Sequence, residues 1–223
     1  MPAIAVSIII PALNEEGTLE GLLKALQNLP ATELIVVDGG SCDSTVAQAL
    51  PLADVVLDSE PGRARQMNAG AAYAQGEWLW FLHADSALVL PPADYLAAIQ
   101  ASQQWGFFRL RLSSRRWSFR IIETLANARI WLTRVATGDT GIFVRRALFH
   151  GVGGFKDIPL MEDIALSKRL RQGHHGQRPS IYLQSASRRW ERRGVFRTVL
   201  LMWQIRLLYV LGVSPATLAR MYR

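Results

Sequence analysis

Hydrophobic and polar positions follow two different periods in the first hundred residues. Four short apolar runs rich in Val and Ile are separated by stretches in which apolar residues recur every three or four positions. The first such stretch follows Thr18, a candidate N-cap, and ends at Pro30. Strand-length runs that alternate with helical patterns are typical of a parallel sheet covered by helices. The predicted strands are AVSIII, ELIVV, DVVL and EWLWFL.

The alternation of strands and helices ends near residue 104, where the segment WGFFRLRL, with its alternating positions, predicts a half-exposed strand. Helices are predicted from Ser44 or Thr45, over RARQMNAGAAYA, over residues 94–103 and 117–134, and over IALSKRLRQ. GDTGIFV is predicted to be a loop that enters a strand. The predicted fold class is therefore α/β: an open, mostly parallel sheet with helices on both faces, followed by C-terminal helices.

The chain is long enough for one sizeable core, and we predict one domain over residues 1–194 with a C-terminal helical segment over 195–223. Residues 195–213 are apolar over almost membrane-spanning length, but Arg197, Gln204 and Arg206 argue against a span. Two alternatives stay open for this segment. It packs on the domain or a partner subunit, or it lies as an interfacial helix on a membrane surface.

Charge is distributed unevenly along the chain. Residues 1–104 carry a net charge of −9, whereas residues 105–223 carry +16, almost all of it from arginine. Arginine matches phosphate and carboxylate oxygens, so the second half is predicted to face an anionic partner or simply to be a solvated basic surface. A single cysteine and an N-terminal apolar run without a basic flank favour a cytoplasmic location, with peripheral attachment to the inner face of the membrane as a further option.

Polar residues cluster where three of the predicted strands end, in PALNEE, DGGSCDST and HADS. The carboxyl ends of parallel strands form the usual ligand site of such sheets, so these residues are expected to converge on one cleft. His83 and Asp85 are two positions apart and point the same way, which suits Mg²⁺ or Mn²⁺ at a substrate diphosphate. Turn formation and helix capping are the alternative roles for each segment. The convergent candidates are Asn14, Glu15, Asp38, Asp43, His83 and Asp85.

Several other nucleotide and metal signatures are missing from the chain. No GxGxxG follows the first strand, and neither GxxxxGK[ST] nor HExxH occurs. The motifs that are present, VSIIIPALNEE, VVDGGSCDST, the segment from Arg65 to Gly70, LHADS, and the GDTGIFVRR, GGF and MEDI series, together resemble the family-2 glycosyltransferases of the A-type fold. IPLMEDI and LLYVLGVSP also resemble a bacterial subgroup labelled as arsenosugar-biosynthesis-associated.

The resemblance implies a nucleotide-diphospho-sugar donor and a divalent cation, and it assigns roles to individual residues. Glu15 would accept from ribose hydroxyls, Asp38 would accept a base N–H, and Arg65 would meet the nucleobase or diphosphate. Asp85 would hold the metal, with His83 in place of the family's leading acid, so strict metal dependence is an open question. The implied donor-binding residues are Pro11, Asn14, Glu15, Asp38, Arg65 and Ala84.

For catalysis, the resemblance implies that Asp163, next to Glu162, is the general base of a one-step inverting transfer. From the residues alone, Asp163 would instead be interpreted as capping the helix that begins at IALSKRL. Residues 188–193 match the family's QxxRW element only in part, because Ala186 replaces the glutamine. The implied acceptor-binding residues are Gly138, Asp139, Thr140, Arg189 and Trp190.

Two rival functions stay open from the sequence. A nucleotidyltransferase that makes the sugar nucleotide would share the sheet, and a non-catalytic module would bind anionic membrane or nucleic acid through the arginine-rich half. Given the resemblance, nucleic acid is not expected as a partner. The donor's base and sugar, the oligomeric state and the acceptor, which is either lipid-linked or a small molecule, are undetermined at this level.

Overall fold

Nine strands form two sheets in the computed structural model, which describes residues 4–187 and 194–222. The larger sheet has the order β3-β2-β1-β4-β8-β6, and the smaller one has the order β5-β9-β7. The strands are β1 (Val6–Ala12), β2 (Thr32–Asp38), β3 (Val55–Asp58), β4 (Trp78–Phe81), β5 (Ser86–Leu88), β6 (Trp105–Gly106), β7 (Arg109–Leu112), β8 (Phe143–Arg145) and β9 (Tyr182–Ser185).

The first four strands are parallel to one another, and β8 pairs antiparallel with β4. The prediction of an open, mostly parallel sheet is therefore confirmed. The described helices are α1 (Leu19–Leu26), α2 (Thr45–Ala49), α3 (Arg63–Tyr73), α4 (Pro92–Gln100), α5 (Trp117–Thr133), α6 (Arg146–Gly151), α7 (Glu162–Leu170), α8 (Val195–Val210) and α9 (Pro215–Tyr222).

Helices cover both faces of the large sheet because β1 and β2 are apolar on both sides. Ile8 and Ile10 pack in one core layer with α1 and α4, whereas Ile9 packs in the opposite layer with α3 and α7. This alternation follows from the two-residue period of a strand. All three isoleucines are fully buried, and β1 is hydrogen-bonded on both sides, so it lies inside the large sheet.

The small sheet was not predicted, and it divides a segment expected to be one strand. WGFFRLRL contributes β6 to the large sheet and β7 to the small one. Phe107 and Phe108 lie between the two strands, and both are fully buried in different core layers. The chain therefore changes sheet at this pair of aromatic residues, which a simple alternation pattern does not reveal.

The C-terminal helices pack against residues that precede and begin α7. Ile205 and Leu218 are fully buried and contact a small apolar cluster that includes Val135, Met161 and Ile164. Within the described residues, no helix has both the length and the apolar character needed to cross a bilayer. The division of the chain at residue 194 stays a prediction.

Candidate active site

A cavity of about 180 Å³ lies beyond the carboxyl end of β4, and we call it the central cavity. Its walls come from several parts of the chain that are far apart in sequence. The segment after β4, the 3₁₀ turn over Gly138–Thr140, the start of α7 and one face of α8 all contribute. The charged and polar lining residues include Arg63, His83, Asp85, Thr137, Asp139, Glu162, Asp163, Thr198 and Arg206.

Asp163 is anchored in the cavity wall by two backbone N–H groups. Its Oδ2 accepts the N–H of Gly138 at 2.7 Å, and its Oδ1 accepts the N–H of Ile164 at 2.6 Å. Burial raises the pKa of Asp163, these two bonds oppose the rise, the charge of Asp139 adds to it, and Arg206 opposes it. The bond to Ile164 satisfies a backbone donor in the first turn of α7. Asp163 is the second residue of this helix and Met161 occupies the N-cap position, so Asp163 is not the helix cap that the residues alone suggested.

Glu162 is buried beside Asp163, at the first position of α7. Burial, followed by the charge of Asp163, raises its pKa to about 7. The preceding residue, Met161, has a φ of 70°, which costs a non-glycine residue on the order of 1 kcal/mol. This left-handed residue starts the helix inside the cavity wall, so both acids enter the cavity instead of facing solvent.

His83 packs directly against the backbone of Gly138. A Cβ on that glycine would lie 2.4 Å from Nε2 of His83, so only glycine allows this approach. Burial, and then the nearby charge of Arg63, lowers the pKa of His83 to about 3. The imidazole is therefore neutral at physiological pH, which is the state that ligates metals.

The donor set for a metal consists of Asp85 and the neutral His83, which both line the central cavity. No group of three or more His, Cys, Asp or Glu side chains suited to a metal ion occurs among the described residues. Mg²⁺ and Mn²⁺ accept one or two protein ligands when substrate phosphates supply the rest. These residues therefore fit an ion that binds together with a diphosphate, and they do not form a complete protein cage.

The loops after β1 and β2 are joined to each other by hydrogen bonds. Asn14 Oδ1 accepts the N–H of Cys42 at 2.9 Å, and the N–H of Glu15 donates to Thr45 Oγ1 at 2.7 Å. Asp38 accepts from Gly40 and Ser41 within its own turn. Asn14, Glu15 and Asp38 thus share one region, but they do not line the central cavity, and their nucleotide-binding roles stay predictions.

Two further residues predicted on the donor side are buried, and a third buried residue was missed. Pro11 lies within β1, and Ala84 is 3% exposed between His83 and Asp85. Gln66, on α3, donates to the carbonyls of Ala12 and Val37 at 2.8 and 2.9 Å. It joins the ends of β1 and β2, but nothing in its local sequence distinguishes it from a surface glutamine.

Asp43, another strand-end candidate, accepts the backbone N–H and the hydroxyl of Thr45 at 3.0 and 2.5 Å. The hydroxyl of Thr45 lowers the pKa of Asp43. Asp43 therefore orders the start of α2 from the position before the N-cap residue, Ser44.

Arg65 does not line the central cavity. Its guanidinium is half-exposed and pairs with Glu60 at 2.6 Å and with Asp157 at 3.0 Å. Arg63, two residues earlier and therefore on nearly the opposite side of α3, lines the cavity, and its charge lowers the pKa values of His83 and Glu162. Sequence reasoning missed Arg63 because RARQ offers two arginines and no local signal distinguishes them. The role of Arg65 stays a prediction.

The predicted acceptor residues are placed in part. Gly138 and Asp139 line the central cavity, whereas Thr140 is fully buried and its hydroxyl donates to the carbonyl of Thr137 at 2.6 Å. Arg189 and Trp190 lie outside the described residues. Arg206 of α8 was not predicted as a site residue, because its partners in the cavity are distant in sequence.

Comparisons with known proteins agree with this architecture. The model for glycosyl transferase family 2 matches residues 7–149. A PGL/p-HBAD biosynthesis glycosyltransferase of Mycobacterium bovis is 32% identical over 174 residues, covering 70% of this chain. The chain spans 64% of that relative's length, so less than two thirds of the relative is represented here.

Two solved structures are similar in fold. A mannosyltransferase from Pyrobaculum calidifontis, in complex with GDP-Man and Mn²⁺, has a TM-score of 0.67 at 24% identity and covers 92% of this chain and 61% of its own. Staphylococcus aureus TarS 1–349, in complex with UDP-GlcNAc, has a TM-score of 0.64 at 22% identity over 82% of this chain and 58% of its own. At these identities the likeness shows the fold.

Proposed function

Because the chain belongs to glycosyl transferase family 2, we propose that it transfers a sugar from a nucleotide-diphosphate donor to an acceptor hydroxyl in one inverting step. The observation that carries this proposal is the convergence in one cavity of a neutral imidazole and an acid after β4 with a backbone-anchored carboxylate on α7. The imidazole and the acid after β4 suit the diphosphate end of a donor, and the carboxylate on α7 suits proton removal from an acceptor. The rival functions lack a comparable observation.

The donor side is supported by its organisation before any ligand binds. The loops after β1 and β2 are cross-linked by hydrogen bonds between Asn14, Glu15, Cys42 and Thr45, so little ordering entropy is lost on binding. Two similar folds are in complex with GDP-Man and UDP-GlcNAc, which supports a nucleotide-diphospho-sugar as the donor class.

At the diphosphate, Asp85 and His83 would hold a divalent cation, and Arg63, which also lines the cavity, would add a positive charge. When bound, such an ion neutralises charge that develops on the leaving nucleoside diphosphate. The relative in complex with Mn²⁺ supports this choice of cofactor. The neutral His83 can supply a lone pair to the ion but no charge, so the negative charge of this pair would come from Asp85.

At the acceptor, Asp163 would take the hydroxyl proton while the acceptor oxygen bonds to the anomeric carbon. The bond from that carbon to the diphosphate oxygen breaks in the same step, and the electron pair leaves with the nucleoside diphosphate. The two backbone N–H bonds to Asp163 fix the position of its carboxylate, and positioning is the main source of the gain. Glu162, with its pKa near 7, adds negative charge beside this base.

The test compares Asp163→Asn with Glu162→Gln, two isosteric changes at adjacent positions. A panel of nucleotide sugars with Mn²⁺ is screened for donor hydrolysis and for protection against thermal unfolding. We expect Asp163→Asn to keep donor protection and to lower turnover on the order of 100-fold or more, as for loss of a positioned general base. Glu162→Gln should lose less than about tenfold.

The opposite ranking of the two variants would remove Asp163 from the role of base. No hydrolysis and no thermal protection with any donor would contradict the proposed function itself. Asn can accept through one oxygen where Asp accepts through two, so the thermal unfolding of both variants is measured to separate a folding defect from a catalytic one.

A further inference from the structure

The exposed apolar side chains of this protein are concentrated on two helices. Of the seventeen large apolar side chains that are exposed in the described residues, ten lie on α5, on α8 or directly after α8. Their exposed fractions reach 77% at Leu132 and 72% at Val210. These ten are Trp117, Ile121, Leu125, Trp131, Leu132, Leu200, Trp203, Leu207, Val210 and Leu211.

On each helix these side chains form one stripe. At about 100° per residue, the five positions on α5 fall within an arc of about 120°, and the five on α8 fall within an arc of about 100°. The other faces of both helices are occupied: Phe119 and Ile130 of α5 are buried, and Ile205 of α8 lines the central cavity. Each stripe is therefore the face that the fold leaves uncovered.

The C-terminal end of α5 lies close to α8 in the fold. Val135, two residues after the end of α5, packs in one cluster with Ile205 of α8. Arg129 of α5 and Arg206 of α8 are close enough that, after burial, the charge of Arg206 is the next largest cause that lowers the pKa of Arg129. The two apolar stripes thus belong to one region, which we call the α5–α8 surface.

The tryptophans are divided between the buried core and the exposed faces of α5 and α8. Six tryptophans lie in the described residues, and Trp78, Trp80 and Trp105 are almost completely buried in the core. The other three, Trp117, Trp131 and Trp203, are 76%, 55% and 67% exposed, and all three are on α5 or α8. Indole rings with one wet and one apolar edge are enriched at the interface between lipid and water.

The distribution of charge decides between a second copy of the chain and a lipid bilayer as the occupant of this surface. Between residues 113 and 135 the only acid is Glu123, which is buried and accepts the N–H of Leu112. Residues 194–222 contain no acid at all. A second copy of the chain would therefore bring arginine against arginine, whereas anionic lipid headgroups complement the surface. The exposed basic residues of the two segments are Arg115, Arg116, Arg197 and Arg220, whereas Arg206 lines the central cavity.

We propose that α5 and α8 form an interfacial docking surface for an anionic lipid bilayer, with their apolar stripes at the boundary between headgroups and acyl chains. Such binding combines buried apolar area with attraction of basic side chains to anionic lipid. Because Met202 and Ile205 on the inner face of α8 line the central cavity, docking would hold that cavity beside the bilayer. The proposal goes beyond sugar transfer and does not depend on it.

Vesicle flotation of the full chain tests this proposal. Vesicles of phosphatidylcholine with 30% phosphatidylglycerol should carry the protein, pure phosphatidylcholine vesicles should carry much less, and high salt should weaken the binding. Two double variants, Trp203→Glu with Leu207→Glu and Trp131→Glu with Leu132→Glu, should each lower binding at least about tenfold, since an acid on the stripe opposes both contributions.

Leu50→Glu is the matched control, because Leu50 is 64% exposed but lies at the end of α2. It should bind vesicles as the wild type does, and all variants should keep their thermal unfolding temperature. Absence of flotation with anionic vesicles, an equal loss in the control, or unchanged binding of either double variant would overturn the proposal. So would a dimer in analytical ultracentrifugation that the Trp203 and Leu207 changes convert to monomer. Donor hydrolysis in detergent-free buffer stays a separate measurement, so failure here leaves the proposed sugar transfer intact.

Discussion

The loops after β1 and β2 and the wall of the central cavity both gather acidic side chains, but they stabilise them differently. In the loops, Asp38, Asp43 and Glu16 accept hydrogen bonds from backbone N–H groups a few residues away or in the adjoining loop. In the cavity wall, Glu162 and Asp163 are removed from water beside each other, and the pKa of each is raised. The carboxylates of the loops are therefore stabilised by hydrogen bonds, whereas burial disfavours the ionised forms of Glu162 and Asp163 in the cavity wall.

This difference indicates what each region does. A surface whose polar groups already have partners is preorganised, and it recognises a ligand by shape and by its remaining lone pairs. A cavity that disfavours its own carboxylates gains when a substrate or a cation adds positive charge, and it holds a carboxylate of raised basicity for proton transfer. The guanidinium of Arg63 on one side and that of Arg206 on another limit the cost of the two acids.

Gly138→Ala should have the largest effect, because it changes the cavity wall at its tightest contact. The new Cβ would lie 2.4 Å from Nε2 of His83, so the ring or the turn must move, and with it the N–H that anchors Asp163. Displacements of about 1 Å at a catalytic group cost on the order of 100-fold in turnover. Steady-state kcat/KM for the best donor measures this loss.

Gly21→Ala is the control for that substitution. A Cβ at Gly21, within α1, meets nothing within 4 Å, and alanine is the better helix former. Gly21→Ala should keep full turnover and a slightly raised unfolding temperature. Equal turnover of Gly138→Ala and Gly21→Ala would contradict a tight contact between His83 and the turn.

The two arginines of α3 give the second prediction, which sharpens the contrast between cavity and surface. Arg63 acts on His83 and Glu162 in the cavity, whereas Arg65 pairs with Glu60 and Asp157 at the surface. Arg63→Gln should weaken donor affinity about tenfold, as expected when one charge that faces a diphosphate is lost. Arg65→Gln should leave donor affinity nearly unchanged, since exposed ion pairs contribute about 1 kcal/mol or less.

Isothermal titration of each variant with the donor nucleotide diphosphate and Mn²⁺ measures these affinities. The wild type and both variants are compared at the same ionic strength, because charge interactions are screened by salt. A larger loss in Arg65→Gln than in Arg63→Gln would return Arg65 to the diphosphate role implied by the family resemblance.

The parallel part of the fold could be predicted because its signals are local. Apolar runs such as ELIVV and the leucine pattern of α1 contain their own periodicity, and the strand-end segments at Asn14, Asp38 and Asp85 follow directly from them. Parallel strands bring their carboxyl ends to one edge, which predicted one cleft for these segments. Asp85 lines the central cavity, whereas Asn14 and Asp38 do not, so their part in the site stays a prediction. The acidic pair on α7 was predicted as a site from the resemblance, since periodicity alone indicated a helix cap.

The rest depends on contacts between residues that are distant in the chain. The small sheet joins β5, β7 and β9 across almost a hundred residues, and three-residue strands carry too little pattern to be recognised. Arg206 reaches Asp163 because α8 packs on the cluster around Val135. Hydrophobicity alone predicted that α8 would be either buried or interfacial, and it could not indicate which face of the helix would line the cavity.

Glu162→Gln gives the smallest change in turnover, and its value is as a probe of the buried charge. In the unfolded chain Glu162 ionises near pH 4.5, whereas in the folded protein burial and the charge of Asp163 raise its pKa to about 7. The folded state therefore holds this proton more tightly between those two pH values. The contribution of Glu162 to stability is complete below pH 4.5 and is lost as pH rises through 7.

Gln has no such titration, so the wild type should become less stable relative to Glu162→Gln from pH 5 to pH 8. Thermal unfolding of both proteins without donor or metal, at pH 5, 6, 7 and 8, measures the difference, and a pH-independent difference would show that Glu162 ionises as it does in water.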